Sequence, residues 1–170
     1  MRFGIGILLL ALLILAAGCQ QAAQKAAEGM AERAIEAQSD GKVSADISGD
    51  TMTITDAETG EETIVKTGQG MPEGWPASLP QYPGSTVESS LSSETPEGRS
   101  SSVYLQTSDP PRKVADFYVG KAEAAGYKKQ TEMETPEGIT LMFEGADKAF
   151  IVSAITSDSG CDVSLQLAPK

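Results

Sequence analysis

The sequence predicts an α+β fold. A small N-terminal β-meander is followed by an antiparallel sheet with one packed helix, in the order β-β-α-β-β-β-β. Three observations predict it. Val, Ile and Thr alternate with polar residues in several short runs, the period of a half-buried strand. One segment, opened by Pro110-Pro111 and closed by Gly126, has the apolar spacing of a helix. Turn-forming residues separate these segments.

In chain order, residues 19–42 are rich in Ala, Gln and Glu, all good helix formers. Met30, Ala34 and Ala37 fall at helical spacing beside Ile35, and Glu28 faces Glu32 as a like-charge pair. This apolar stripe is thin, which predicts a helical tether rather than a helix that fills a groove. Residues 43–67 predict the meander. Val43, Ala45 and Ile47 alternate in its first strand, Met52 and Ile54 in its second, and Glu61 to Thr67 form its third. The carboxylates of Asp46, Asp50, Asp56, Glu58, Glu61 and Glu62 lack calcium-loop spacing. They read as turn residues and a solvated strand face.

Residues 68–84 hold four prolines and four glycines, which excludes regular structure and marks a joint. Trp75 in this joint reads as a clip packed between neighbouring units.

Residues 85–170 predict the α+β body. Strands over Thr86–Leu91 and Ser100–Thr107 flank Thr95-Pro96-Glu97-Gly98, a turn closing on a left-handed Gly. Glu-Thr-Pro-Glu-Gly recurs at Glu134 to Gly138 and predicts a second such hairpin. Ser108 or Asp109 is placed to cap the helix. Val114, Phe117, Tyr118, Lys121, Ala122 and Ala125 share its face, with Lys121 at the border, and Gly126 ends it. Four strands follow, over 127–133, 139–144, 149–156 and 161–167. Phe150-Ile151-Val152 is apolar at every position, so that strand should be central with both faces covered. Cys161 shares parity with Val163, Leu165 and Leu167, which predicts a buried, unreactive thiol.

The N-terminus carries a different signal. Arg2 precedes an uncharged apolar run from Phe3 to Ala17, shorter than the roughly 20 residues a spanning helix needs. Small residues follow, then Cys19. This is the pattern of a secretory signal peptide over residues 1–18. Leu15-Ala16-Ala17-Gly18-Cys19 resembles a bacterial lipobox, with Ala16 where that family prefers Leu. The resemblance implies cleavage before Cys19 and lipid attachment at Cys19. Several acyl chains, at about 0.8 kcal/mol per buried methylene, hold a protein on a membrane. Gln20, rather than Asp, implies outer-membrane sorting in a cell that has an outer membrane.

A second resemblance spans most of the mature chain. Leu79-Pro80-Gln81-Tyr82-Pro83-Gly84, Val114-Ala115-Asp116-Phe117-Tyr118 and Ala125-Gly126-Tyr127 are similar to a group of uncharacterised small envelope lipoproteins. That group shares a P-x-YPG motif and an FY…GY helix. The resemblance implies architecture and an extracytoplasmic, membrane-anchored location. It carries no activity and no functional residues.

The net charge is −11, and removal of the leader, which holds Arg2 and no acid, takes it to −12. Phosphate binding needs clustered Lys and Arg, so nucleic acid is not an expected partner. With no His, the usual general base and commonest neutral metal ligand are missing. The Ser-rich stretch from Ser89 to Ser102 has no nucleophile elbow. The sequence therefore points to no catalytic residue, no cofactor and no metal site. It leads to a lipid-anchored envelope protein with a partner-binding or structural role. The alternatives are a small-ligand-binding lipoprotein and, last, an enzyme that works without His.

Overall fold

A computed structural model describes residues 24–170, apart from 40, 69, 96 and 97. The leader and Cys19 lie outside the described residues. Helix α1 covers residues 24–38. Strands β1 (Val43–Ser48), β2 (Thr51–Asp56) and β3 (Glu62–Thr67) follow. The body comprises β4 (Thr86–Thr95), β5 (Gly98–Thr107), α2 (Pro111–Ala124), β6 (Lys128–Thr135), β7 (Gly138–Glu144), β8 (Lys148–Ser157) and β9 (Gly160–Pro169).

All nine strands among the described residues form one antiparallel sheet, ordered β1-β2-β3-β4-β5-β9-β8-β7-β6. The sheet-plus-helix class is as expected, but the meander is not a separate unit. β4 runs to Thr95, four residues past its expected end at Leu91. Its outer edge pairs with β3 from Glu62↔Glu94 to Thr67↔Ser89. Two half-size sheets would each expose an unpaired edge, and joining them removes both.

The last strand locks the architecture. After β5, helix α2 crosses one face of the sheet and delivers the chain to β6 at the far edge. The β6–β9 meander then returns, and β9 inserts between β5 and β8. The β8–β9 pairing is a local hairpin, whereas the β5–β9 pairing is distant in sequence and is the one that joins the two halves of the sheet.

Helix α2 buries Val114, Ala115, Tyr118 and Ala122, with Phe117 and Ala125 partly buried beside them. Its start differs from expectation. Pro110 is the N-cap residue and Pro111 the first helical residue, and neither Ser108 nor Asp109 caps by side chain. The Asp109 carboxylate is engaged elsewhere, accepting from the Tyr82 hydroxyl at 2.7 Å and from Lys113 Nζ at 2.9 Å. The helix ends in a Schellman motif. Gly126 takes φ +86°, its N–H donates to Glu123 O, and the Tyr127 N–H donates to Ala122 O at 2.9 Å.

The core lies between α2, the joint and one sheet face. Phe150 is its hub, with ring contacts to Trp75, Tyr118, Tyr127 and Phe143 at centroid separations of 5.8–6.4 Å. Trp75 packs onto this cluster from the joint, as a clip would. Its Nε1–H donates to Leu79 O at 2.6 Å, which satisfies the polar end of a partly buried ring. Tyr118 donates its hydroxyl to Pro80 O at 3.2 Å, which fixes the joint to the helix.

Each sheet edge is guarded. On β1 the guard is α1, which runs along the strand. The Ile47 N–H donates to Glu32 Oε1 at 2.7 Å and the Gly49 N–H to Glu28 Oε1 at 3.3 Å. The thin stripe of Met30, Ala34 and Ala37 is not the docking face: all three are exposed. The Glu28 and Glu32 carboxylates seat this helix, because an open strand edge presents unpaired N–H donors, and Ile35 is its half-buried apolar residue. The segment expected as a tether is therefore hydrogen-bonded to the sheet. On β6 the guards are a bulge between Lys129 and Thr131 and the charged pairs Lys129–Glu132, Arg112–Glu132 and Arg112–Glu134.

The two Pro-Glu-Gly hairpins are not alike. Gly98 has φ +124°, whereas Gly138 is outside the left-handed region. Gly138 is needed for space, since a Cβ there would sit 2.2 Å from Ala154 O. At the meander's second turn, the Asp56 carboxylate accepts the N–H groups of Glu58 and Thr59 at 2.8 Å each. Those bonds hold its pKa below the usual carboxylate value. Turn formation accounts for this acid without calcium.

Candidate binding face

Strand alternation gives the sheet two faces, and α2 and the joint cover only one. Phe150 and Val152 point under α2, while Ile151 points to the opposite face. The expectation that both faces of β8 are covered is thus corrected. The strand is interior to the sheet, but among the described residues no helix lies over its second face.

The register identifies what that open face carries. One row crosses every strand: Ile47, Met52, Val65, Leu91, Ser102, Gln166, Ile151, Met142 and Thr131. A neighbouring row holds Ser89, Tyr104, Ser164, Ser153, Thr140 and Met133. Neither row contains a charged residue, on a chain of net charge −11. Tyr104 is 47% exposed, Met133 58%, Met142 44% and Ile155 42%. These four are the exposed large apolar residues of the described sheet, and all lie on this face. They are spread over four strands, with Ser164, Ser153 and Thr140 between Tyr104 and Met133, and Tyr104 and Ile155 share one depression.

Tyr104 is the exception among the aromatic residues. Every other described aromatic side chain belongs to the cluster under α2. Tyr104 forms one wall of a depression of about 440 Å³, with Glu88, Gln106, Ser153, Ile155 and Asp162 among the other lining residues. Gln106 Nε2–H donates to Asp162 Oδ1 at 3.3 Å across the floor. A volume of this size and mixed lining is within the range of small-ligand sites. The helix side is packed with aromatic rings instead.

Cys161 lies just beneath this surface, facing the core between Thr107 and Thr156. It is fully buried. Burial, with the nearby Asp162 carboxylate, pushes its thiol up to about 11. The folded pKa is above the unfolded one, so the group's stabilising contribution is complete below about pH 8.5–9 and declines as pH rises toward 11. Burial also pushes Tyr82 up to about 12, which adds to the alkaline loss. Two results are expected. The thiol of the folded chain resists iodoacetamide at pH 8 and reacts fully in denaturant. The urea midpoint is flat from pH 7 to 9 and falls between pH 9 and 11. Rapid labelling of the folded chain would contradict the burial.

The Ser-rich stretch forms sheet rungs rather than a reactive cluster. Ser92 and Ser101 face each other at 3.5 Å between hydroxyl oxygens, and the Ser93 hydroxyl donates to Glu61 at 2.8 Å. Among the described residues no group of three or more His, Cys, Asp or Glu side chains is arranged to hold a metal ion. No described helix is long and apolar enough to cross a membrane.

The open face was visible in the sequence only as apolar residues at the wrong parity. Tyr104 lies between inward Val103 and Leu105, and Met142 between inward Leu141 and Phe143.

Residues 87–160 match a family model described as START domain-like. The chain is similar to that family from β4 to the start of β9. No curated protein and no solved structure matches the chain.

Proposed function

We propose that this chain is a lipid-anchored, non-catalytic binding protein of the cell envelope. It is held outside the cytoplasmic membrane through acylated Cys19 and binds its partner on the open sheet face. One observation carries the binding reading: Tyr104, Met133, Met142 and Ile155 are all exposed on the one sheet face that no described helix covers, a face without charge along its central rows. Exposing four large apolar groups has no folding benefit, and burying them drives association. The anchoring reading is supported by the lipobox-like Leu15 to Cys19 and the short apolar leader.

A second reading is a small-ligand-binding lipoprotein. It is favoured by the depression beside Tyr104 and by the START domain-like match, since such domains are generally binding modules. Both readings use the same face.

A photocrosslinking residue placed at position 104, with a control at exposed Glu123 on the outer side of α2, tests the reading in intact envelopes. A discrete adduct is expected at 104, absent at 123 and lost with Ile155→Lys. Equal patterns at the two positions, or an adduct insensitive to Ile155→Lys, would remove the open face from the binding role.

A further inference from the structure

The open face is uncharged along its central rows, but the lining of the depression is not. Glu88 occupies the β-bulge between Val87 and Ser89, where the extra residue re-aims a side chain out of the strand's alternation. It lines the same depression as Asp162. Both residues are exposed. Among the described residues neither carboxylate pairs with a Lys or Arg, although eight ion pairs form elsewhere. The Asp162 carboxylate accepts one side-chain hydrogen bond, from Gln106. Beside the two acids stand the exposed Tyr104 ring and the Ile155 side chain.

This lining has a complementary chemistry. Two carboxylates attract one positive head. An aromatic face beside them adds cation–π attraction, worth about 0.5–1 kcal/mol at an exposed site. Ile155 and the ring provide apolar wall for an aliphatic stem. A side chain with an apolar stem and a charged tip fits both at once. Resting on the binding reading above, we infer that the depression takes an arginine or lysine side chain from a basic segment of a protein partner. The opposite charges also favour encounter with such a partner over the many acidic surfaces this chain would repel.

The test uses the full mature chain, ¹⁵N-labelled and held in detergent micelles. It is titrated with acetyl-Gly-Arg-Gly-amide and, separately, with the citrulline analogue, which keeps shape but removes charge. The arginine peptide is expected to shift the backbone signals of Tyr104, Ile155 and Asp162, with at least fivefold weaker binding for the citrulline peptide. Glu88→Gln combined with Asp162→Asn is expected to abolish that preference. Both positions are exposed, so the fold is retained. Equal shifts from both peptides would overturn the cation assignment while keeping the face as a binding surface. Shifts elsewhere on the acidic surface, unchanged in the double variant, would overturn it too. With no perturbation by either peptide the inference falls, and crosslinking at position 104 decides the binding reading independently.

Discussion

Phe150→Ala is expected to destabilise the fold by about 3–5 kcal/mol, the range for truncating a buried aromatic residue. The large value follows from its position. Phe150 is fully buried on an interior strand and touches four other rings. Those rings come from the joint, α2, the segment after α2 and β7, so the cavity cannot close by moving one element. Trp75 and Tyr118 also donate to Leu79 O and Pro80 O, and those bonds resist collapse into the gap. Small domains have only about 5–15 kcal/mol of stability, so this loss removes a large fraction of it. Urea denaturation followed by far-UV circular dichroism measures it. Phe150→Leu should lose less, since it refills much of the volume. A cost below about 1 kcal/mol for the Ala variant would contradict the hub role, because core truncations of this kind cost several.

Gly160→Ala is expected to cost about 2–6 kcal/mol, adding unfavourable backbone conformation to steric overlap. Gly160 opens β9 after the β8–β9 turn, with φ +129°. A Cβ there would lie 2.4 Å from Thr107 O and 2.6 Å from Ser108 Cα. Both are backbone atoms at the exit from β5 and cannot rotate away. Relief would require separating β9 from β5, the pairing that joins the two halves of the sheet. Gly84 is the control. It also has positive φ, at +76°, but a Cβ there meets nothing within 4 Å. Gly84→Ala should therefore cost only the conformational part, about 1–3 kcal/mol. Thermal melts of the two variants side by side check the difference, and equal losses would contradict the steric account.

Much of the fold was legible in the residues. Val43-x-Ala45-x-Ile47 and Val163-x-Leu165-x-Leu167 alternate cleanly because each strand shields one face more than the other, half-buried in the first and buried in the second. The helix and its Gly126 terminus were legible because Pro and Gly act locally through φ. What escaped depends on tertiary pairing. Nothing in Ser89 to Glu94 announces a partner at β3, since Ser and Thr suit either a solvated edge or an interior strand. The docking of α1 escaped because Glu28 and Glu32 read as a repelling pair on a free helix, whereas an open strand edge turns both into acceptors. Asp109 looked like a helix cap, but Tyr82, 27 positions away in sequence, takes its carboxylate.

The candidate site was less legible than the fold. Tyr104, Met142 and Ile155 are apolar residues, and apolar residues in a strand are first taken as core. Only the placement of α2 and the joint on one face reveals that these three are left outside. The same placement explains why Phe150-Ile151-Val152, read as covered on both faces, is covered on one.

Lipid anchoring through Cys19 is tested most directly by intact mass spectrometry of the chain isolated from membranes, beside Cys19→Ser. The expected result is an N-terminus at Cys19 carrying the mass of acyl chains, with both that mass and membrane retention lost in the variant. An unmodified soluble chain, or an intact leader whose membrane retention is unaffected by Cys19→Ser, would contradict lipid anchoring.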